Sequence, residues 1–140
     1  MPRSSWKNQF YTYESASNLH QKVKHIFSTD PFFKQLQCYQ EVPVRDLAPT
    51  YLHYLDAVDW YIDEYNIILE LHGVQHYKMQ SFGSTDSYFN QKKNFHNIQY
   101  RDNRKKTALL NAGYSYLEIS YKHYDKIDSD FLKQKIFYES

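Results

Sequence analysis

The chain has 140 residues, and 17 Lys and Arg nearly balance 16 Asp and Glu, giving a formal net charge of +1 at pH 7. This length favours one compact domain over residues 1–140, and the near-neutral charge does not indicate a class of partner. The single cysteine, Cys38, excludes an internal disulfide and a multi-cysteine zinc site. Apolar runs stay well below about 18 residues and the N-terminus lacks a signal peptide's apolar region, so we expect a soluble, cytoplasmic protein with no membrane partner.

The first predicted helix follows a polar and aromatic N-terminal segment. Residues 1–15 have no clean periodicity, and we expect them to form an irregular arm. Ser17 is of a residue type that caps helices, and the apolar residues after it recur at helical spacing. The residue before a proline disfavours the α region, so the helical pattern should end before Pro31. The sequence therefore predicts a helix that Ser17 caps and that ends near Ser28.

Strands are predicted for the next part of the chain. Residues 36–44 alternate in part and contain a proline near their end, and a loop separates them from the segment 51–62. The tetrapeptide 63–66, Asp-Glu-Tyr-Asn, is typical of a turn, and an apolar strand over 67–72 follows it. Segments 51–62 and 67–72 should therefore pair as an antiparallel hairpin at the centre of a sheet.

The C-terminal half alternates between helix and strand. A polar loop from Gly73 leads to a helical pattern over about 87–112, and Gly113 stands where a C-cap glycine belongs. Residues 114–120 alternate as a strand, and Ser129 is expected to cap a short final helix. The predicted order is α-β-β-β-α-β-α, which indicates an α/β fold with helices on both sides of a mixed central sheet.

The predicted hairpin brings acidic side chains together. If the two ends of the 63–66 turn oppose each other, Asp59 faces Glu70 with Cβ atoms roughly 5 Å apart. Two facing carboxylates repel, and a bound cation such as Mg²⁺ would relieve the repulsion. Strand alternation adds His72 to the same face, and His76 follows one short step later. The alternative is a Glu70 that faces solvent on a one-sided sheet.

The long predicted helix carries a local excess of positive charge. Segment 92–106 holds six Lys and Arg against one Asp in a chain that is near neutral as a whole. Such a face can neutralise nucleic-acid phosphates, and the alternative is an ordinary solvated helix surface. Asp102 falls on the apolar stripe of this helix together with Lys105, where a charged pair is either structural or part of a site. The candidate DNA-binding side chains are Lys93, Arg101, Arg104 and Lys105.

The acidic residues and their order along the chain carry a family resemblance. Asp59 and the Glu70-x-His72 step, on neighbouring strands between two helices, resemble the PD-(D/E)xK nuclease superfamily, whose common core is α-β-β-β-α-β. A narrower resemblance is to very-short-patch-repair-like nucleases and to phage endonucleases of the EDxHD type, and it covers about residues 17–121. Downstream residues that match this group are Phe89, Lys93, Asn97, Arg101, Asp102, Lys105, Leu109 and Gly113.

The resemblance implies a divalent-metal-dependent DNA endonuclease with a restriction-endonuclease-like core and an extra C-terminal helix. Asp59 and Glu70 would hold Mg²⁺, for which Mn²⁺ is expected to substitute. His76 would act as general base with Gln75 orienting the attacking water, and Asp102 would support that histidine or the metal. DNA would be the partner, in homing, junction resolution or nicking, and Lys93, Arg101 and Lys105 would contact the scissile phosphate. In one small domain, long-site specificity would require a homodimer or another partner. In a phage-encoded protein the compartment would be the host cytoplasm.

Two departures from the family pattern leave alternatives open. The superfamily's usual lysine is His72 here, and an imidazole lacks the fixed charge of an ammonium. The N-terminal acidic residue of the EDxHD group has no clear match, because His20 stands where a Glu is expected and Glu14 and Glu41 only lie nearby. Two further hypotheses therefore stand beside the nuclease. One is a catalytically decayed nuclease fold that binds DNA or acts in phage assembly or regulation, and the other is a zinc protein using His72 and His76.

Overall fold

The computed structural model describes residues 2–12, 17–73 and 88–139. Within these ranges the strands are Lys7–Asn8 (β1), Cys38–Pro43 (β2), Ala57–Ile62 (β3), Ile67–His72 (β4) and Ser115–Ser120 (β5). The helices in the same ranges are Asn18–Thr29 (α1), Pro31–Lys34 (α2), Val44–Leu47 (α3), Tyr88–Asn111 (α4) and Ser129–Tyr138 (α5). The strands form one mixed sheet in the order β1-β2-β3-β4-β5, in which β4 and β5 are parallel and the other neighbours are antiparallel. The α/β class and the mixed sheet are therefore as predicted.

An apolar core lies on each face of the sheet, and strand β4 contributes to both. Ile67 and Leu69 pack into one core with Phe27 of α1, and α5 covers the same face. Ile68 packs into the other core with Leu109 of α4. Each large apolar side chain that is fully buried in this way contributes roughly 1.5–3 kcal/mol to folding. The two cores fix helices α1 and α4 on opposite sides of the central strands.

The hairpin predicted at the centre of the sheet is confirmed in its register. Ile62 pairs with Ile67, and the pairing continues in step to Trp60 opposite Leu69. A single 3₁₀ turn joins the strands, and it ends at Asn66, whose φ of 55° lies in the left-handed region that asparagine tolerates. The turn residues thus set the facing pairs that the sequence predicted.

Two predicted element boundaries are wrong. The predicted strand 51–62 begins only at Ala57, because Leu52 and Leu55 are exposed rather than facing a core, and turns occupy that stretch. Asp128 rather than Ser129 caps the final helix, since its carboxylate accepts a hydrogen bond from the Phe131 N–H at 2.8 Å. The helical turn Val44–Leu47 covers the end of the predicted strand 36–44 and the start of the loop predicted after it.

Residues 2–12, the described part of the N-terminal arm, are more ordered than their sequence predicts. Lys7–Asn8 pairs as a short antiparallel strand with β2, and Trp6 beside it is buried. The Gln9 side chain is also buried and donates a hydrogen bond to the Leu36 carbonyl at 2.8 Å. The Ser17 cap is confirmed, because its hydroxyl accepts from the backbone N–H three residues later. The predicted loop beyond Gly73 lies outside the described residues.

Candidate active site

Four acidic residues lie in one row across four strands of the sheet. Glu70 of β4 pairs with Glu118 of the parallel strand β5. The hairpin register, continued by one step, places Asp59 of β3 opposite Glu70. The pairing of β2 with β3 skips Glu41 and Asp59, but the pairs on either side, Gln40 with Trp60 and Val42 with Val58, leave these two residues facing each other. We call Glu41, Asp59, Glu70 and Glu118 the acidic row.

Strands β2 and β3 both change face at the first two members of the acidic row. Trp60 belongs to the core beneath α1, whereas Val58 belongs to the core beneath α4, although simple alternation would put both on one face. On β2 the neighbouring residue Val42 also faces α4, and Glu41 before it has a φ of 52°. A left-handed conformation costs a non-glycine residue of order 1–3 kcal/mol, and such strain gathers at functional sites. The rotation leaves the carboxylates of Glu41 and Asp59 within reach of α1.

Where the backbone pairing of β3 and β4 ends, the carboxylates of Asp59 and Glu70 accept hydrogen bonds from backbone N–H groups. Asp59 Oδ2 accepts a hydrogen bond from the Leu71 N–H at 2.7 Å. Glu70 Oε2 lies 3.4 Å from the backbone nitrogen of Asp59 and accepts from it. Burial, followed by the charge of Glu70 and a hydrogen bond with it, raises the pKa of Asp59 well above its usual range. The predicted contact between these two carboxylates is therefore present, and Asp59 holds its proton more tightly than an exposed acid does.

A lysine from helix α4 neutralises the buried carboxylate of Glu70. Lys105 Nζ lies 2.9 Å from Glu70 Oε1 and donates to the Ala57 carbonyl at 3.0 Å. The Tyr116 hydroxyl donates to the same Glu70 oxygen at 3.1 Å, and burial with the Glu70 charge raises the pKa of Tyr116. The side chains of Lys105 and Glu70 are only 9% and 4% exposed. His72 has no ammonium group. The ammonium that contacts Glu70 instead belongs to Lys105 of helix α4.

His72 contacts the fourth member of the acidic row. Its Nδ1 lies 3.2 Å from Glu118 Oε2, and Lys106 Nζ binds the other oxygen of Glu118 at 2.9 Å. A carboxylate on one ring nitrogen fixes the orientation of a histidine. Glu118 was not predicted as a site residue, because a single acid in an alternating strand has the pattern of a solvent-facing residue. The feature that identifies Glu118 is the parallel register of β4 and β5, which places Glu118 beside Glu70.

A group with metal-binding chemistry lies on the α1 side of the row. His20, Glu41 and Asp59 each offer one ligand atom, and these atoms all lie within 4.8 Å of one another. The His20 ring is buried and stacks on Trp60 with centroids 5.4 Å apart. One imidazole and two carboxylates are a donor set that suits a divalent cation. The residues present therefore fit a divalent cation, with His20 and Glu41 beside Asp59 as candidate ligands. Glu70, the second predicted ligand, is not in this group, because Lys105 and Tyr116 contact its carboxylate.

The four candidate DNA-binding residues divide into two kinds. Lys93 and Arg101 are exposed on α4. Arg104 is half-buried and pairs with Asp56 at 3.0 Å, so its guanidinium is held against the protein, and Lys105 is buried against the acidic row. The prediction that Arg104 and Lys105 contact phosphate does not fit this arrangement, because buried carboxylates attract both cations inward.

Of the other predicted site residues, one lies within the described ranges and two lie outside them. Asp102 is half-buried on α4, and its charge contributes to the raised pKa of Tyr116, which places it near the acidic row. Gln75 and His76 lie outside the described residues. The histidine pair of the zinc hypothesis therefore has only His72 in the described part of the chain, where Glu118 contacts it.

The chain was also compared with known proteins. No protein-family model matches it, and no curated protein matches it. Among the described residues, none of the helices has both the length and the apolar character that a bilayer crossing requires. The acidic row, its cations and its histidines are therefore the features from which a function has to be inferred.

Proposed function

We propose that this chain is a divalent-metal-dependent DNA endonuclease with a PD-(D/E)xK-like core. The observation that carries the proposal is the acidic row, in which Asp59 and a buried Glu70 meet where the β3–β4 ladder ends. The element order supports it, since α1, β2, β3, β4, α4 and β5 follow the α-β-β-β-α-β order of that superfamily. The restriction-endonuclease-like identity of the core belongs to the proposal.

Hydrolysis of a phosphodiester needs an activated water and a compensated charge on the phosphorane. A divalent cation bound in such a site supplies both, by lowering the pKa of its water and by polarising a phosphoryl oxygen. Asp59 would hold the cation together with His20 and Glu41, whose ligand atoms lie close enough for one ion. Mg²⁺ and Mn²⁺ are the divalent ions to test in this site.

The remaining residues of the row would position the reactants. Lys105 binds the Glu70 carboxylate at 2.9 Å, which fixes that carboxylate beside Asp59. Glu118 holds His72 through Nδ1, so that the imidazole has a fixed orientation. Exposed Lys93 and Arg101 would bind the DNA backbone without reading its sequence. Gln75 and His76 keep their proposed roles of orienting and deprotonating the water.

The test is a cleavage assay on supercoiled, linear, single-stranded and four-way-junction DNA with Mg²⁺ or Mn²⁺. Asp59→Asn should lower the cleavage rate by about 10²–10³-fold, the range seen when a group that stabilises transition-state charge is removed. Asp125→Asn, at an exposed position away from the row, is the matched control and should cut like the parent. Equal cleavage by Asp59→Asn and the parent would show that the row is not the active site.

A second candidate function is DNA binding without cleavage. One observation favours it, because Lys105, Tyr116 and the Asp59 N–H already satisfy Glu70 without any metal. Salt-dependent DNA binding by the parent, with no cleavage under Mg²⁺ or Mn²⁺ on any of the four substrates, would decide for this function. Binding weakened by Lys93→Ala and Arg101→Ala would then identify α4 as the DNA-binding face.

A further inference from the structure

The hydrogen bonds of Gln40 determine which nitrogen of His20 carries a proton. The Gln40 amide nitrogen donates to the Asn8 carbonyl at 2.6 Å and to the Tyr11 carbonyl at 3.0 Å. Because both amide protons are used there, the Gln40 oxygen is the atom that lies 2.9 Å from His20 Nε2. An amide oxygen can only accept, so His20 Nε2 must be the donor.

A neutral imidazole that is protonated on Nε2 has its lone pair on Nδ1. The ring cannot turn freely to exchange the two nitrogens, since it is buried and stacked on Trp60 at an interplanar angle of 21°. Gln40 and the N-terminal arm therefore fix both the tautomer and the direction of the His20 ring. Glu41 and Asp59 place carboxylate oxygens beside this ring, all within 4.8 Å of the histidine's ligand atom.

We propose that His20 Nδ1, Glu41 and Asp59 form a mixed nitrogen and oxygen site that selects a first-row transition-metal ion over Mg²⁺. Mg²⁺ is a hard cation that takes oxygen ligands in a strict octahedron, whereas imidazole nitrogen suits transition-metal ions. Gln40 is a positioning residue for this site, because its hydrogen bond with Nε2 would make Nδ1 the nitrogen that binds the metal.

This inference deepens the proposed function, because it names the metal class of the same site. Its tests measure metal binding and not cleavage, so the two ideas can fail separately. Nitrogen-ligated metal without DNA cleavage would support the site and contradict the nuclease. Cleavage that depends on Asp59, with a metal held only by oxygen, would do the reverse.

The first test uses Mn²⁺ as the probe on the full chain. Electron spin echo envelope modulation should show ¹⁴N coupling to protein-bound Mn²⁺, at a stoichiometry of one ion per chain. A Mn²⁺ spectrum without nitrogen coupling would overturn the proposal, and so would the absence of stoichiometric binding. Because this measurement needs no substitution, it does not depend on whether a variant folds.

The second test compares variants by Mn²⁺ titration and by competition with Mg²⁺. His20→Gln should weaken Mn²⁺ binding by about 10–100-fold, the loss seen when a metal site is disturbed, and should leave Mg²⁺ binding within about twofold. His25→Gln, on an exposed face of the same helix, is the matched control and should bind Mn²⁺ like the parent. Glu41→Gln, at an exposed side chain, should weaken both ions because it removes an oxygen ligand.

Either of two outcomes would overturn the selectivity. One is a His20→Gln chain that is folded by circular dichroism and binds Mn²⁺ as tightly as the parent. The other is displacement of Mn²⁺ from the parent by an equal concentration of Mg²⁺. If His20→Gln does not fold, the nitrogen coupling in the parent decides the question.

Discussion

At the scale of single residues, the acidic row shows how a sheet can bury several carboxylates. Glu70 has an ammonium, a phenol and a backbone N–H as partners, so its charge is compensated at each oxygen. For Asp59, burial and its charged neighbour instead raise the pKa. The repulsion between these two neighbouring carboxylates is thus reduced by an ion pair at Glu70 and accompanied by a raised pKa at Asp59.

The buried ion pair predicts a large and asymmetric effect of substitution. Lys105→Met removes the ammonium and leaves Glu70 buried without its cation, which should cost about 3–5 kcal/mol of unfolding free energy. Urea denaturation followed by circular dichroism measures this loss. Adding Glu70→Gln to the same chain should recover part of it, because the uncompensated charge is then gone.

The neighbouring lysine provides the matched control. Lys106 also binds a carboxylate of the row, Glu118, but its side chain is 46% exposed, so Lys106→Met should cost no more than about 1 kcal/mol. A Lys105→Met chain as stable as Lys106→Met would contradict the idea that Lys105 compensates a buried charge.

At the scale of elements, the boundaries of α4 show what a local pattern determines. Helix α4 ends at Asn111, and Gly113 follows with a φ of 95°, as the sequence predicted for a C-cap glycine. The Gly113 N–H donates to the Leu110 carbonyl at 3.1 Å, which satisfies one of the free carbonyls at the helix end. The chain can then turn directly into β5.

The positive φ of Gly113 predicts a graded effect of substitution. A Cβ atom at this position would meet nothing within 4 Å, so the penalty comes from the backbone and not from a clash. Gly113→Ala should lower the unfolding free energy by about 1–3 kcal/mol, and Gly113→Asn should lower it less, because asparagine tolerates left-handed φ. Thermal unfolding of both variants tests this order, and equal stability of the alanine variant and the parent would contradict it.

The site was predictable where short-range chemistry fixes it. The 63–66 turn sets the hairpin register, and the register alone brings Asp59 to Glu70. The left-handed conformation of Glu41 left no trace in the sequence, because its residue type is not one that favours positive φ. The hydrogen bond between Gln40 and His20 could not be predicted from the sequence either. It depends on an N-terminal segment that pairs with β2 only in the folded chain.

At the scale of the whole molecule, the core beneath α1 encloses a thiol that can report on unfolding. Cys38 is fully buried in the core beneath α1, and burial with the charge of Glu64 raises its pKa to about 12. A thiol needs to be deprotonated and accessible to react. In the folded protein Cys38 satisfies neither condition.

Labelling of Cys38 should therefore proceed through unfolding of the chain. At pH 8 the labelling rate with a disulfide reagent should be at least about 10³-fold lower in buffer than in denaturing urea, in line with the small unfolded fraction of a stable domain. The rate should rise with urea in parallel with the unfolding curve. Labelling in buffer within tenfold of the denatured rate would show that this core opens locally.

The parallel pairing of β4 with β5 also has a consequence for the order in which the chain folds. The β3–β4 hairpin is local and can form early, whereas β5 and α4 reach it only after a long crossover closes. We therefore expect Asp59 and Glu70 to meet before Lys105, Tyr116 and Glu118 dock around them. A hairpin that forms early contains like charges in contact, and docking of the crossover removes this penalty. The ion pair that Lys105 makes with Glu70 then stabilises the docked crossover. We therefore expect the hairpin and the crossover to unfold together as one cooperative unit.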